Sequence, residues 1–151
     1  GTSYGFNMGR MFASVAGRAA GARKMRPIGA ALFDSGSAIS FLSRSAAKEA
    51  GLRCDTPEGT EHIGGAPTAV CYRDVELHVT GTDCFAALRV AVPVDAEQDV
   101  PTLLGADFLQ RSGGFLDFGR GRHRIGCDVN ARDPNPPEPV AAQKVRFKCS
   151  R

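Results

Sequence analysis

The chain of 151 residues is poor in aromatic side chains and has no long apolar run. It contains no tryptophan and only two tyrosines, whereas a stacking platform for single-stranded nucleic acid needs several exposed aromatic rings. A membrane-crossing helix needs about 20 consecutive apolar residues, which this sequence does not offer. Nineteen Lys and Arg against sixteen Asp and Glu leave a net charge of only +3. We therefore expect neither a membrane span nor a nucleic-acid partner.

Closely spaced metal-ligand pairs are also missing. None of the five cysteines stands at CxxC spacing, and the three histidines are equally scattered. We therefore expect no metal ion and no other cofactor. An odd number of unclustered cysteines is typical of a reducing compartment, so we expect unpaired thiols and a cytoplasmic location. A mitochondrial location is the alternative, because residues 1–33 contain arginines but no Asp or Glu, as transit peptides do.

Glycine and proline, in contrast, are abundant. Eighteen Gly and nine Pro predict frequent turns, which suit a mostly β fold better than a helical bundle. Short apolar or alternating segments predict strands at residues 11–17, 25–33, 70–79, 84–94, 115–118 and 124–127. Ser43 can cap a helix over residues 44–50 that ends at Gly51, and residues 106–110 predict one helical turn. We divide the chain into three parts: a basic N-terminal arm (1–24), one domain (25–128) and a Pro-rich extension (129–151).

The most informative segment is an apolar strand that ends in a turn, Leu32-Phe33-Asp34-Ser35-Gly36-Ser37. An Asp-Ser-Gly tripeptide alone is common in turns. Two later segments add to it. Ile63-Gly64-Gly65-Ala66-Pro67 is rich in glycine within polar sequence, and Leu103-Leu104-Gly105 is an apolar pair that ends in glycine.

The order and context of these motifs resemble the retropepsin-like aspartic proteases. The pattern is closest to cellular and bacterial members, such as the protease domain of the DNA-damage-inducible ubiquitin-receptor proteins. The resemblance covers about residues 26–127. It implies a mostly β, closed barrel with a short helix after the catalytic turn and another after the hydrophobic-hydrophobic-Gly strand. It also implies an endopeptidase that hydrolyses a polypeptide substrate.

The resemblance implies a role for each residue of the first motif. Asp34, Ser35 and Gly36 correspond to the family's catalytic turn, in which two carboxylates share a proton and activate a water molecule. Because the chain has a single Asp-Ser-Gly motif, the second Asp34 must come from another copy, and we expect a homodimer. Gly36 would allow the close approach of the two turns. Ser35 would hydrogen-bond across the dimer, and Ser37 would donate to Asp34.

The other two motifs would support this site. Leu103 and Leu104 would pack beneath the turn, and Gly105 would permit the tight crossing of two loops. A flap formed by four residues would close over the substrate and exclude water, with Pro67 stiffening it: Ile63, Gly64, Gly65 and Ala66. The alternative is a scaffold or interaction subunit that keeps the fold but has weak or no catalytic activity. The intact Asp-Ser-Gly motif favours the enzyme.

Three further groups of residues are given a non-catalytic interpretation. The acidic loop 95–99 is expected to be solvated and not to bind a cation. The basic residues of segment 120–124 are expected to form a solvated hairpin tip and not a phosphate site. Ser35, Ser37 and His62 do not indicate a serine hydrolase, because the sequence has no GxSxG motif.

Overall fold

The computed structural model describes residues 11–119 and 123–132, and strands dominate them. In chain order the elements are β1 (Met11–Ala19), β2 (Arg26–Phe33), α1 (Arg44–Glu49), β3 (Gly59–Ile63), β4 (Ala66–Val79), β5 (Phe85–Pro93), β6 (Leu103–Leu104), α2 (Ala106–Ser112), β7 (Gly114–Asp117) and β8 (Arg124–Cys127). Short 3₁₀ turns follow β5 and β8. The predicted mostly β fold with two short helices is confirmed. Within these residues, neither helix is long or apolar enough to cross a membrane.

Six strands form one sheet that closes on itself through a single residue. The strand order is β3-β4-β1-β2-β6, and β5 also pairs with β4. Phe41 bridges Ala91 of β5 and Leu103 of β6. Phe41 and Leu103 exchange two backbone hydrogen bonds of 2.8 Å, and Ala91 bonds the backbone of Ser40 and Leu42. The strands thereby surround a core as a barrel, and β7 and β8 form a separate hairpin.

The barrel core follows from the side-chain pattern of its strands. In β4, Val75, Leu77 and Val79 are buried, while the residues between them point outwards, as the alternation predicts. Beneath the ends of β2 and β6, the rings of Phe33 and Phe108 pack with centroids 6.5 Å apart. Each large apolar side chain buried in this way contributes roughly 1.5–3 kcal/mol. The core therefore supports the strand ends from which the candidate site is built.

Helix α1 begins at the predicted residue and ends at Glu49, one residue before the predicted end. The Ser43 hydroxyl accepts a hydrogen bond from the N–H of Ala46 at 3.1 Å, which caps the first turn. Gly51 has a φ of +82°, and the N–H of Leu52 donates to the carbonyl of Ala47 at 2.9 Å. This is the glycine-terminated helix end described for the Schellman motif.

Strand β1 lies within the interval predicted as an N-terminal arm. It pairs with β2 from Met11 to Gly17 and with β4 from Val15 to Ala19. The sheet therefore begins before the predicted boundary at residue 24. Residues 1–10 of the predicted arm and residues 133–151 of the predicted Pro-rich extension lie outside the described residues.

Four of the five cysteines are paired, as Cys54–Cys71 and Cys84–Cys127. The expectation of unpaired thiols is wrong for these residues. The bonded cysteines are 17 and 43 residues apart in the sequence, but their Cα atoms are only 5.9 and 5.4 Å apart. Sequence spacing could not show this proximity because the fold creates it. The predicted reducing compartment rested on unpaired cysteines and no longer follows from them.

We predict that the double substitution Cys84→Ala/Cys127→Ala lowers the free energy of unfolding by about 4 kcal/mol, because the bond closes the longer loop. The matched variant Cys54→Ala/Cys71→Ala, which opens the 17-residue loop, should lose about 3 kcal/mol. Urea unfolding followed by circular dichroism measures both values. If the oxidised wild type and the wild type in excess reductant unfold at the same urea concentration, this prediction is wrong.

Candidate active site

Asp34 follows the last residue of β2, where the strand emerges from the barrel. Strands β2 and β6 run parallel here, with Leu32 opposite Leu103 and Phe33 opposite Leu104. The N–H of Asp34 donates to the carbonyl of Leu104 at 2.9 Å, which extends the pairing by one residue. The Asp34 residue itself is exposed. The backbone of Asp34 is thus fixed by the sheet while its carboxylate faces the surroundings.

The turn after Asp34 orients this carboxylate. Asp34 Oδ1 accepts a hydrogen bond from the N–H of Gly36 at 3.0 Å, and the Asp34 carbonyl accepts one from the N–H of Ser37 at 3.1 Å. A Cβ on Gly36 would lie only 3.2 Å from Asp34 Oδ1. Glycine at this position therefore keeps the carboxylate and the turn backbone in close contact.

The two serines of the motif differ in their surroundings. Ser37 Oγ donates to the carbonyl of Ile39 at 2.8 Å, so the expected bond from Ser37 to the Asp34 carboxylate is replaced by one within the loop. The physical reason is that the chain turns back towards the barrel after Ser37, which places its hydroxyl beside the Ile39 carbonyl. Ser35 is exposed at the turn, where its hydroxyl can reach a partner outside this chain.

The Asp34 loop passes on both sides of β6. Leu103 and Leu104 pair with the end of β2, which precedes the loop. Leu103 also pairs with Phe41, which follows the loop. At the exit of β6, a Cβ on Gly105 would lie 2.5 Å from the carbonyl oxygen of Ser37 and 2.6 Å from that of Ile39. The crossing is so tight that only glycine fits it without displacing backbone atoms.

A buried pair of polar residues that the sequence did not identify locks this loop to α2. Both Ser40 and Asp107 are buried. Ser40 Oγ donates to Asp107 Oδ1 at 2.6 Å and accepts from the N–H of Gly105 at 2.9 Å, while the N–H of Ser40 donates to Asp107 Oδ2 at 3.0 Å. The N–H of Phe108 donates to Asp107 Oδ1 at 2.7 Å. The only signal in the sequence is an acidic residue two positions after Leu103-Leu104-Gly105.

Burial raises the pKa of Asp107, and its hydrogen bonds from Ser40 and Phe108 partly offset this. The folded protein therefore binds this proton more tightly than the unfolded chain. The resulting stabilisation is present at acid pH and is lost as the pH rises from about 4 through the raised pKa. The hydrogen bonds of the lock themselves favour the ionised carboxylate, so the raised pKa reflects the cost of burial and not these bonds.

The predicted flap is a hairpin of β3 and β4. Gly64 and Gly65 connect the strands with φ angles of +59° and +84°, and two consecutive positive φ values are typical of a type I′ turn. Ile63, at the end of β3, packs against an apolar cluster that contains Ile39 and Phe41. The structure thus brings the hairpin and the Asp34 loop onto one apolar cluster.

The segment after β5 holds the base of this hairpin. Gln98 Nε2 donates to the carbonyl of Pro67 at 3.3 Å, and its Oε1 accepts from the N–H of Ala69 at 3.4 Å. The neighbouring Asp99 accepts from the N–H of Arg44 at 2.9 Å. The acidic loop, predicted as solvated surface, therefore also positions β4 and α1.

A second buried carboxylate lies in the flap itself. Glu61 of β3 is 3% exposed and accepts a hydrogen bond from the Tyr72 hydroxyl. Burial, and then the bond and charge of Glu61, raise the pKa of Tyr72 above its usual range. The hydroxyl stays protonated and ties the two flap strands together. No pattern in the sequence indicates this pair.

The described part of the basic hairpin tip makes local contacts. Arg124 pairs with Asp117 across β7 and β8 at 2.8 Å, and the rings of His123 and Phe118 meet edge to face at 5.0 Å. Arg120 and Arg122, which the sequence placed in the same cluster, lie outside the described residues.

This chain is similar to several solved structures. Neither a protein-family model nor a curated protein matches the chain. Among solved structures, an EIAV protease complexed with the inhibitor HBY-793 is similar, with a TM-score of 0.48 and 20% sequence identity. The match covers 69% of this chain and 88% of that chain.

We predict that Gly105→Ala lowers the free energy of unfolding by about 3 kcal/mol, because the new methyl group overlaps two backbone carbonyls that cannot move without breaking the loop pairing. Gly81→Ala is the control, since that glycine has a φ of +80° but open space around it and should lose about 1 kcal/mol from backbone strain alone. Thermal and urea unfolding measure both. Equal losses in the two variants would show that the crossing is not tight.

Proposed function

We propose that this protein is an aspartic endopeptidase that acts as a homodimer, with one Asp34 carboxylate from each copy. The observation that carries the proposal is the exposed carboxylate of Asp34 on a loop clamped on both sides of β6. Rigid backbone around an accessible ionisable group is the arrangement that positioned acid–base catalysis needs.

The reaction explains why two carboxylates are required. Hydrolysis of a peptide bond without a metal ion or a protein nucleophile needs a water molecule to lose a proton while the carbonyl oxygen gains one. A single Asp34 can perform one of these transfers at a time. Two carboxylates a few Å apart share one proton, so the pair acts as base and acid together.

Symmetry supplies the second carboxylate. The chain carries one Asp-Ser-Gly motif, and a twofold axis beside it would place two copies of Asp34 face to face. Gly36 has no side chain to obstruct the partner's turn, and the exposed Ser35 hydroxyl would bond across the interface. These contacts would fix the separation of the two carboxyl groups.

The hairpin of β3 and β4 would hold the substrate. An extended polypeptide between the flap tip and the Asp34 loop can pair its backbone with a strand edge, which is a common way to bind peptides. Gly64 and Gly65 give the tip its turn, while Ile63, the residue before it, packs against the apolar cluster. Closure of the tip would exclude bulk water from the carboxylate pair.

We predict that Asp34→Asn reduces peptide hydrolysis at least about 1,000-fold, because an amide cannot exchange the shared proton. The fold and the dimer should persist, since Asp34 is exposed and its N–H bond to Leu104 involves only the backbone. A fluorogenic peptide library measures turnover. Asp83→Asn, at an exposed turn away from the motif, is the matched control and should keep full activity.

Two results would reject this assignment. Undiminished turnover by Asp34→Asn would exclude the carboxylate from the reaction. A stable wild-type dimer that cleaves nothing in the library at any pH between 4 and 8 would favour the alternative of a scaffold or interaction subunit.

We predict that specific activity falls as the protein is diluted, because each copy supplies half of the carboxylate pair and dimer occupancy follows mass action. Analytical ultracentrifugation over the same dilution series gives the dimer dissociation constant. The activity curve and the dimer curve should have the same midpoint. Constant turnover per chain far below that midpoint would show that one chain is sufficient.

A further inference from the structure

A second candidate site lies apart from the Asp34 loop and the flap. An open cavity of about 330 Å³ is formed by α1, the segment that follows it and β5. The side chains that matter for its chemistry are Arg44, Lys48, Arg53, Cys54 and Asp55. None of the residues proposed above for peptide hydrolysis lines it.

The cavity carries an excess of positive charge. Three cations line it against one carboxylate, and that carboxylate, Asp55, pairs at 3.5 Å with Arg53 on the exposed surface. Arg44 is held in place because its guanidinium donates to the carbonyls of Pro93 and Val94. Lys48 and Arg53 are exposed at the rim. A small anion is the ligand that this charge distribution favours.

One of the two disulfides opens onto this cavity. Cys54 is half-buried and lines the cavity wall, whereas its partner Cys71 is 0% exposed. A nucleophile in the cavity can therefore reach the Cys54 sulfur and not that of Cys71. The other disulfide, Cys84–Cys127, does not line this cavity.

We propose that the cavity binds a small anionic thiol of the glutathione type, which exchanges with the Cys54–Cys71 disulfide. The thiolate sulfur of the ligand attacks Cys54 Sγ and forms a new S–S bond. The Cys54–Cys71 bond breaks, and its electron pair leaves on the Cys71 sulfur, which takes a proton from water. A second thiol then attacks the ligand sulfur of the mixed disulfide. It releases a small-molecule disulfide and the Cys54 thiol, so two thiols are oxidised as the protein disulfide is reduced.

The cations act on both binding and reaction. They attract the carboxylate or sulfonate of the ligand, and they favour the thiolate over the thiol in the cavity. Since only the thiolate attacks, a higher local thiolate concentration speeds the exchange.

The exchange releases a covalent tie at the entry to the flap. Cys54 belongs to the segment that leads into β3, and Cys71 lies within β4. Non-covalent contacts remain after reduction. Among them, Arg73 donates to the carbonyl of Arg53 at 2.9 Å, and the N–H of Glu58 donates to the carbonyl of Val70 at 2.8 Å. These contacts keep the segment beside β4 after the covalent tie is lost. This inference does not depend on peptidase activity.

The test compares three small thiols on the oxidised full chain: anionic 2-mercaptoethanesulfonate, neutral 2-mercaptoethanol and cationic cysteamine, at equal thiolate concentration. Acid quenching and peptide mapping by mass spectrometry locate each mixed disulfide. We expect the first adduct on Cys54, formed about tenfold faster with the anionic thiol than with the neutral one, and more slowly with the cationic one. Exchange at Cys84–Cys127 should not follow this order of charge.

A charge-matched pair of variants separates the cavity from the overall charge of the protein. Lys48→Gln/Arg53→Gln should reduce the anionic preference to about threefold or less, whereas Lys24→Gln/Arg26→Gln, two exposed cations at the β1–β2 turn, should retain it. The proposal is overturned by a first adduct on Cys71, Cys84 or Cys127, by equal rates for the three thiols, or by an unchanged preference in the Lys48/Arg53 variant.

Discussion

The close crossing of β6 and the Asp34 loop is the contact on which the rest of the site depends. Leu103 and Leu104 pair with β2 on one side, and Leu103 pairs with Phe41 on the other. The same two residues therefore close the barrel and fix the backbone of Asp34. Gly105 makes this possible, because any side chain there would overlap the carbonyls of Ser37 and Ile39. Barrel closure and carboxylate placement cannot be changed independently.

The buried Ser40–Asp107 pair holds this crossing in place at some cost. Removing a carboxylate from water is unfavourable, and the raised pKa of Asp107 expresses that cost. Three hydrogen bonds, from the hydroxyl and N–H of Ser40 and the N–H of Phe108, offset it. An apolar pair would fill the same space but would leave these N–H groups without partners. The polar pair thus fixes the orientation of the loop relative to α2, which packing alone would leave variable.

The structural features that can be predicted from the sequence are those that depend on near neighbours in the chain. Local sequence patterns predict four features: the alternation in β4, the Ser43 cap, the turn glycines Gly64 and Gly65, and the end of β2 at Asp34. Local patterns do not predict three other features: the disulfide partners, the Ser40–Asp107 pair and the closure through Phe41. Each of these joins residues that are 17 to 67 positions apart in the sequence. The Ser37 hydroxyl was assigned to the wrong acceptor because its direction depends on how the loop returns to the barrel.

The two parts of the proposed site are held in different ways, and this difference suits them to different tasks. Asp34 is fixed by backbone bonds to β6, so its position changes little while the barrel is intact. The flap tip turns through two glycines, whereas the strands on either side of it are held by Ile63 in the apolar cluster and by Gln98 bonded to β4. Motion of the hairpin should therefore concentrate between Ile63 and Ala66. The Cys54–Cys71 bond, at the entry to β3, is a covalent tie near the base of the hairpin, where Gly59 pairs with Val70. Opening it would remove this tie but leave the backbone pairing of β3 with β4 and the bond that holds Asp34 to β6 in place.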